Sequence, residues 1–207
     1  MEKELARILS ELRTEKERKF DQTVDLLINL KKFDAKKSQI NLVVNVPFRI
    51  KDKKICAFLE TKNSEITTIT PEQFKNYSDK KELKKLIRNF DFFISQASLM
   101  PKVATAFGRV LGPAGKMPSP QLGIISEVNK KELEKVIEKI NNSTKVKTKE
   151  SNVKLAVGKQ SMKDEELIEN IMTVYNAVLK VLPRGIENIK NVEVKFTMTK
   201  PLKVVMK

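Results

Sequence analysis

The stretch SMKDEELIENIMTVYNAVLKVLPRG (161–185) carries the clearest helical periodicity in the chain, and it constrains the fold more than any other segment. Leu167, Ile168, Ile171, Met172, Tyr175, Val178, Leu179 and Leu182 recur at helical spacing, so a wide apolar stripe must be buried against a partner. Pro183 and Gly185 stop the helix, and Ser161 with Asp164 has the look of a capping box at its start. On either side lie strand-like runs. TKVKTKESNVKLAVGK reads as a hairpin with Val153, Leu155 and Val157 on one side, and NVEVKFTMTKPLKVVMK sets Val192, Val194, Phe196 and Met198 opposite Glu193, Lys195 and Thr197. These strands are too few to cover the helix.

The missing cover is at the other end of the chain. Residues 2–17 read as a charge-laced helix with a stripe of Leu5, Ile8, Leu9 and Leu12. A strand follows over about 21 to 30 through Val24, Leu26, Ile28 and Leu30, and a second runs through Leu42, Val44 and Val46 until Pro47 ends it. A helix and two strands bury too little to fold alone, so the two ends are expected to fold together. The middle has a different texture. KICAFLE and FDFFISQ are buried strands, 71–89 is helical in two pieces, 98–108 is a helix with Pro101 near its start, and 129–141 is a helix with Leu133, Val136, Ile137 and Ile140 on one face. The expected fold is therefore α+β with two domains. Residues 1–52 plus 144–207 form a discontinuous split β-α-β domain built from both chain ends. Residues 53–143 form an inserted small α/β three-layer (Rossmann-like) domain, and two crossings between the domains would serve as a hinge.

Charge narrows the function. Lys and Arg number 41 against 26 Asp and Glu, a formal +15, with the excess spread over all parts of the chain instead of gathered in a tail. That points to a structured binder of a polyanion, nucleic acid before an anionic membrane surface. There is no histidine, which excludes histidine-based acid–base catalysis, Ser-His and Cys-His nucleophiles and histidine metal sites. The single cysteine, Cys56, lies in ICAFLE and reads as a core thiol. No cofactor, metal or enzymatic activity is expected. The charged N-terminus lacks the apolar core of a secretory signal, and no apolar run reaches the roughly eighteen residues of a membrane span, so a cytoplasmic protein without membrane contact is expected.

Three motifs invite chemistry. GRVLGPAGKMPSP (108–120) resembles a phosphate-cradling loop only superficially. A P-loop would need glycine at Val110 and a hydroxyl at Met117, and it would follow a strand. It is expected to be a rigid surface loop in which Gly112 and Gly115 supply unusual backbone angles. KFDQTVD (19–25) sets an aromatic face beside an ammonium, and FTMTKP (196–201) brings Thr197, Thr199 and Lys200 to a strand end, both suited to ribose and phosphate. Asp164, Glu165 and Glu166 occupy the first turn of the long helix, where they offset its dipole.

Taken together, DFFISQASLMP (91–101) followed by GRVLGPAGKMPSP (108–120), with KFDQTVDLLINLK (19–31), LAVGKQSM (155–162) and KFTMTKP (195–201) at their expected places along the chain, resemble the ribosomal protein L-one family, most closely its archaeal branch. The resemblance implies a structural component of the large ribosomal subunit, monomeric when free. It would bind large-subunit rRNA to form the mobile lateral stalk and assist release of deacylated tRNA at the exit site. Repression of its own mRNA is a further activity of many members. A ribosome-assembly or regulatory RNA-binding protein sharing the same domain is the alternative. By position, the family's RNA-facing residues fall on Lys19, Phe20, Thr23 and Asp25, on Gly158 and Lys159, and on Thr197, Met198, Thr199 and Lys200. At Thr199 and Lys200 the family usually has glycine followed by proline, and where Ala114 stands it often has a basic residue.

Overall fold

The computed structural model describes residues 1–16, 18–34, 38, 40–63, 66–77, 79–120, 122–126 and 129–205. In chain order the elements are α1 (Glu2–Thr14), β1 (Thr23–Leu30), β2 (Asn41–Asn45), β3 (Ile55–Phe58) and β4 (Thr67–Ile69). A 3-10 segment (Pro71–Tyr77), α2 (Lys80–Asn89), β5 (Phe92–Gln96), α3 (Met100–Ala114), β6 (Ile124–Ile125) and α4 (Lys130–Asn141) follow. The chain closes with β7 (Ser143–Lys149), β8 (Asn152–Lys159), α5 (Asp164–Val181), β9 (Ile189–Phe196) and β10 (Leu202–Val204). It divides into two compact units, one of Met1–Lys51 with Asn142–Lys207 and one of Asp52–Asn141.

The first unit is built on a six-stranded sheet in the order β10-β9-β1-β8-β7-β2, antiparallel at every pairing. β1 lies between β8 and β9 and is antiparallel to both, so β8 and β9 run the same way and α5 carries the chain from one to the other. Alternation decides which face is covered. Val24, Leu26, Ile28, Val153, Val157, Val192, Val194 and Phe196 are buried and meet Leu5, Ile8, Leu9 and Leu12 of α1 and Leu167, Ile171, Val174 and Val178 of α5. A helix of 13 residues such as α1 is marginal in water. Full burial of each of its four apolar side chains, worth about 1.5–3 kcal/mol apiece, is what stabilises it. Two buried asparagines tie distant segments together. Asn170 Nδ2 donates to the carbonyls of Phe48 and Val157, both at 3.0 Å, while its Oδ1 accepts from the Phe48 N–H. Asn188 donates to the carbonyls of Lys31 and Lys32.

The second unit has a four-stranded sheet, β4-β3-β5-β6, parallel throughout. Its strands are buried on both faces, as a parallel sheet between helices requires. Cys56, Phe58 and Phe93 pack with Leu83 and Leu86 of α2 and Val103, Phe107 and Leu111 of α3; Ala57, Leu59 and Ile94 pack on the other face with Leu133 and Ile140 of α4. Phe58 stacks on Phe93 at 5.7 Å and touches Phe107 at 4.9 Å between ring centroids.

Several local expectations are corrected. Residues 108–114 are helical: α3 continues to Ala114, with Pro113 in its last turn, so Gly112 takes ordinary helical geometry. Of Gly112 and Gly115, the second alone is left-handed, at φ 66°, where it ends the helix in a Schellman turn; Lys116 N–H donates to the Leu111 carbonyl and Gly115 N–H to that of Gly112. Lys116 Nζ donates to the carbonyls of Ile87 and Phe90 at the end of α2, so this lysine caps a neighbouring helix. α5 is capped from Lys163, whose N–H donates to Glu166 Oε2, and not from Ser161, which bonds Asp21 instead, so only the glutamate half of the expected capping box forms. α1 ends at Thr14, short of residue 17, which lies outside the described residues, as does Ser78 within the expected helix 71–89. The short strands β4, β6 and β10 had no periodic signal of their own.

Candidate nucleic-acid interface

Strand pairing brings three sequence-distant motifs to one rim of the first unit's sheet. Thr23, at the start of β1, is opposite Lys159 at the end of β8, and Val24 is opposite both Gly158 and Phe196, the last residue of β9. Thr197 follows directly, and its Oγ1 accepts the Thr23 N–H at 3.0 Å. The hydroxyl stands in for the ladder partner lost where β9 turns away, and it keeps the two motifs in register. Met198 N–H donates to Gln22 Oε1 at 3.1 Å.

Gln22 is the residue that sequence reasoning missed. It is almost wholly buried, receives Met198 on one side, and on the other donates from Nε2 to Gln160 Oε1 while its carbonyl accepts the Gln160 N–H. One side chain thus joins the turn after β8 to the turn after β9. The available signal was a glutamine just ahead of a strongly alternating strand, where a buried amide needs partners on other segments. Asp21 and Arg13 complete the frame. Asp21 accepts the Ser161 N–H and hydroxyl, each at 3.0 Å. Arg13, at the end of α1, donates to the carbonyls of Gln160 and Met162, both at 2.7 Å, and pairs with Asp164. Its planar fork fixes the turn over 159–162 in several directions at once.

The expected site residues divide into three groups, exposed, half-buried and inward-facing. Lys19, Phe20, Thr197, Met198 and Lys200 are exposed. Phe20 at 50 % and Met198 at 56 % are among the few large apolar side chains left to solvent. Thr23 and Lys159 are half-buried, and Lys159 Nζ lies 3.4 Å from the Asp21 carbonyl. Gly158 and Thr199 instead turn inward. A Cβ on Gly158 would lie 2.2 Å from Leu167 Cδ2, within the core beneath α5. Thr199 Oγ1 accepts the Phe196 N–H at 2.9 Å, so this side chain braces the turn and leaves the outer surface clear. Asp25 lies one step along the open face of β1. Burial pushes its carboxyl above the usual range, and Lys154 and Lys195 pull it partly back.

The second unit offers a rival location, the carboxyl edge of its parallel sheet between β3 and β5, where chain order reverses. There Gln96 Oε1 accepts the Glu60 N–H and Ser98 Oγ donates to Glu60 Oε1 at 3.0 Å, which places a carboxylate where a phosphate would sit. Nearby, burial pushes the Cys56 thiol up to about 12, so it stays protonated and inert. Among the described residues no cluster of three or more Cys, Asp or Glu side chains could hold a metal ion.

A mixed α/β chain of two compact units, one with an antiparallel and one with a parallel sheet, is the class that the fold defines. The sequence matches the model of the ribosomal protein L1p/L10e family over residues 12–200, and the chain belongs to that family. It is 36 % identical over 200 residues to the large ribosomal subunit protein uL1 of Nanoarchaeum equitans, an alignment covering 91 % of this chain and 93 % of that protein. The uL1 proteins of Pyrococcus abyssi, 35 % identical with 91 % and 89 % covered, and Cenarchaeum symbiosum, 30 % identical with 95 % and 94 % covered, are similar over the same extent.

Proposed function

We propose that this chain is a structural, non-enzymatic component of the large ribosomal subunit, cytoplasmic and ribosome-bound. In this reading the unit formed by the two chain ends (1–52 with 144–207) holds large-subunit rRNA, and the inserted segment 53–143 is carried on it. Within the ribosome it forms the mobile lateral stalk and assists exit-site tRNA release; free in the cytoplasm it is a monomer able to repress its own mRNA through the same surface.

One observation carries the reading: strand pairing gathers the KFDQT, GKQS and FTMT segments at a single rim. Exposed Phe20 and Met198 offer stacking and packing surfaces, the hydroxyls of Thr23 and Thr197 suit ribose, and Lys19, Lys159 and Lys200 suit phosphate. Counterion release from the lysine contacts makes the binding strongly salt-dependent. Sucrose-gradient fractionation tests the assignment. The protein is expected in stoichiometric amount on mature large subunits and polysomes. Recovery only on precursor particles would instead assign it to ribosome assembly.

A further inference from the structure

We propose that the cleft where β7 parts from β8 is a second contact for the phosphate backbone of the same RNA, formed by Lys145, Lys147 and Lys154. The proposal rests on the reading that the first unit binds rRNA and extends it from the rim across the open sheet face. β7 and β8 pair only at the closed end of their hairpin, Thr148 with Val153 and Lys149 with Asn152. Beyond that point β7 pairs with β2 and β8 with β1. The divergence opens a cleft of about 400 Å³ whose lining includes the three lysines, Asn152 and Asp25.

Alternation decides what faces it. Val146 is fully buried between Lys145 and Lys147, and Val153 and Leu155 are buried on either side of Lys154, so all three ammonium groups leave the sheet on the face away from α1 and α5. Lys195, opposite Asp25 in register, adds a fourth charge to that face. One half-buried carboxylate, Asp25, faces three lysines across the cleft. Desolvation, and after it the neighbouring Lys147 charge, lower the pKa of Lys145. A concave wall of one dominant sign concentrates its field on an anion. Two charges two residues apart on a strand, about 7 Å, suit a regularly charged polymer better than one small ion. The cleft is also continuous with the rim, because Asp25 lines it and Thr23 is two residues along the same face of β1.

The test measures the affinity of the full chain for a large-subunit rRNA fragment as a function of salt. For Lys145→Gln/Lys147→Gln the slope of log affinity against log salt is expected to fall by about two, and affinity near physiological salt by roughly 10- to 100-fold. A melting curve of each variant, run alongside, separates loss of the contact from loss of the fold. Phe20→Ala should weaken binding at every salt concentration with the slope unchanged. Lys84→Gln/Lys85→Gln, which removes the same charge from exposed positions of α2 in the other unit, should leave the slope alone. A wild-type slope and affinity in the β7 variant would overturn the cleft contact while rRNA binding stands, and so would an equal loss in the α2 variant. If the wild-type chain ignored the fragment at low salt, the rRNA-binding reading would fall first, and the cleft contact with it.

Discussion

The two sheets handle their strand ends in opposite ways. In the parallel sheet the carboxyl edge is closed by its own side chains, Gln96, Glu60 and Ser98, and the strands beneath it are sealed by an aromatic cluster around Phe58. In the antiparallel sheet the ends of β1, β8 and β9 are held from behind by Arg13, Asp21 and Gln22, and they leave Phe20, Thr197 and Met198 to solvent. A strand end can therefore serve packing or recognition. The deciding difference is where its backbone groups find partners: in side chains that fill the edge, or in side chains that support it from inside.

The largest effect expected from pressing on this contrast is in the second unit. Phe58→Ala should cost about 3–5 kcal/mol of stability, measured by denaturant unfolding, with Cys56 labelling by a thiol reagent as a local reporter. The native fraction should bind rRNA with wild-type affinity; weakened binding by folded protein would break the division of labour. Gly158→Ala comes next. Overpacking against Leu167 should cost about 1–3 kcal/mol, and in a double-mutant cycle by thermal melt the same Gly158→Ala change should cost less in a Leu167→Ala background. An undiminished cost in that background would mean that the clash with Leu167 is not what requires the glycine. Thr197→Ala removes the acceptor for the Thr23 N–H. It should weaken rRNA binding by about 1–3 kcal/mol in a filter-binding titration and stability by only about 0.5–1.5 kcal/mol.

The smallest effect concerns pH. Asp25 has a native pKa above its unfolded value, so the native state holds this proton more tightly and its charged form is a penalty at neutral pH. Asp25→Asn should therefore raise the melting temperature slightly at pH 7. The advantage should fade as pH falls through the raised pKa toward the ordinary value of 3.8. An advantage that grew in acid would mean that the carboxylate is stabilised by Lys154 and Lys195 more than it is hurt by burial.

Much of the fold was legible in the residues. The stripes of α1 and α5 and the alternation of β1, β8 and β9 each place one apolar face, and burial follows those faces except at Ile168, Met172 and Leu179, which are half-buried, and at Met198, which lies beyond β9 and is exposed. The loop at 108–120 misled because Gly and Pro read as breakers, whereas Pro113 lies in the last turn of α3 and Gly112 is simply helical. The site was legible as motifs but not as a frame. Arg13 looked like one more surface charge and Gln22 like a spacer, because their partners lie on other segments of the chain.

The strong basic charge, the lack of histidine, the helices and strands with one apolar face and the motifs that mark the family can all be read along the chain. Periodicity and composition are local properties, and a chain read in order contains them. That Gly158 and Thr199 point inward, that Lys116 caps α2, and that β7 departs from β8 to leave lysines around a cleft emerges from the folded chain alone. Each of these depends on which residue from another segment comes to lie a few ångströms away, and that is settled by strand register and helix packing.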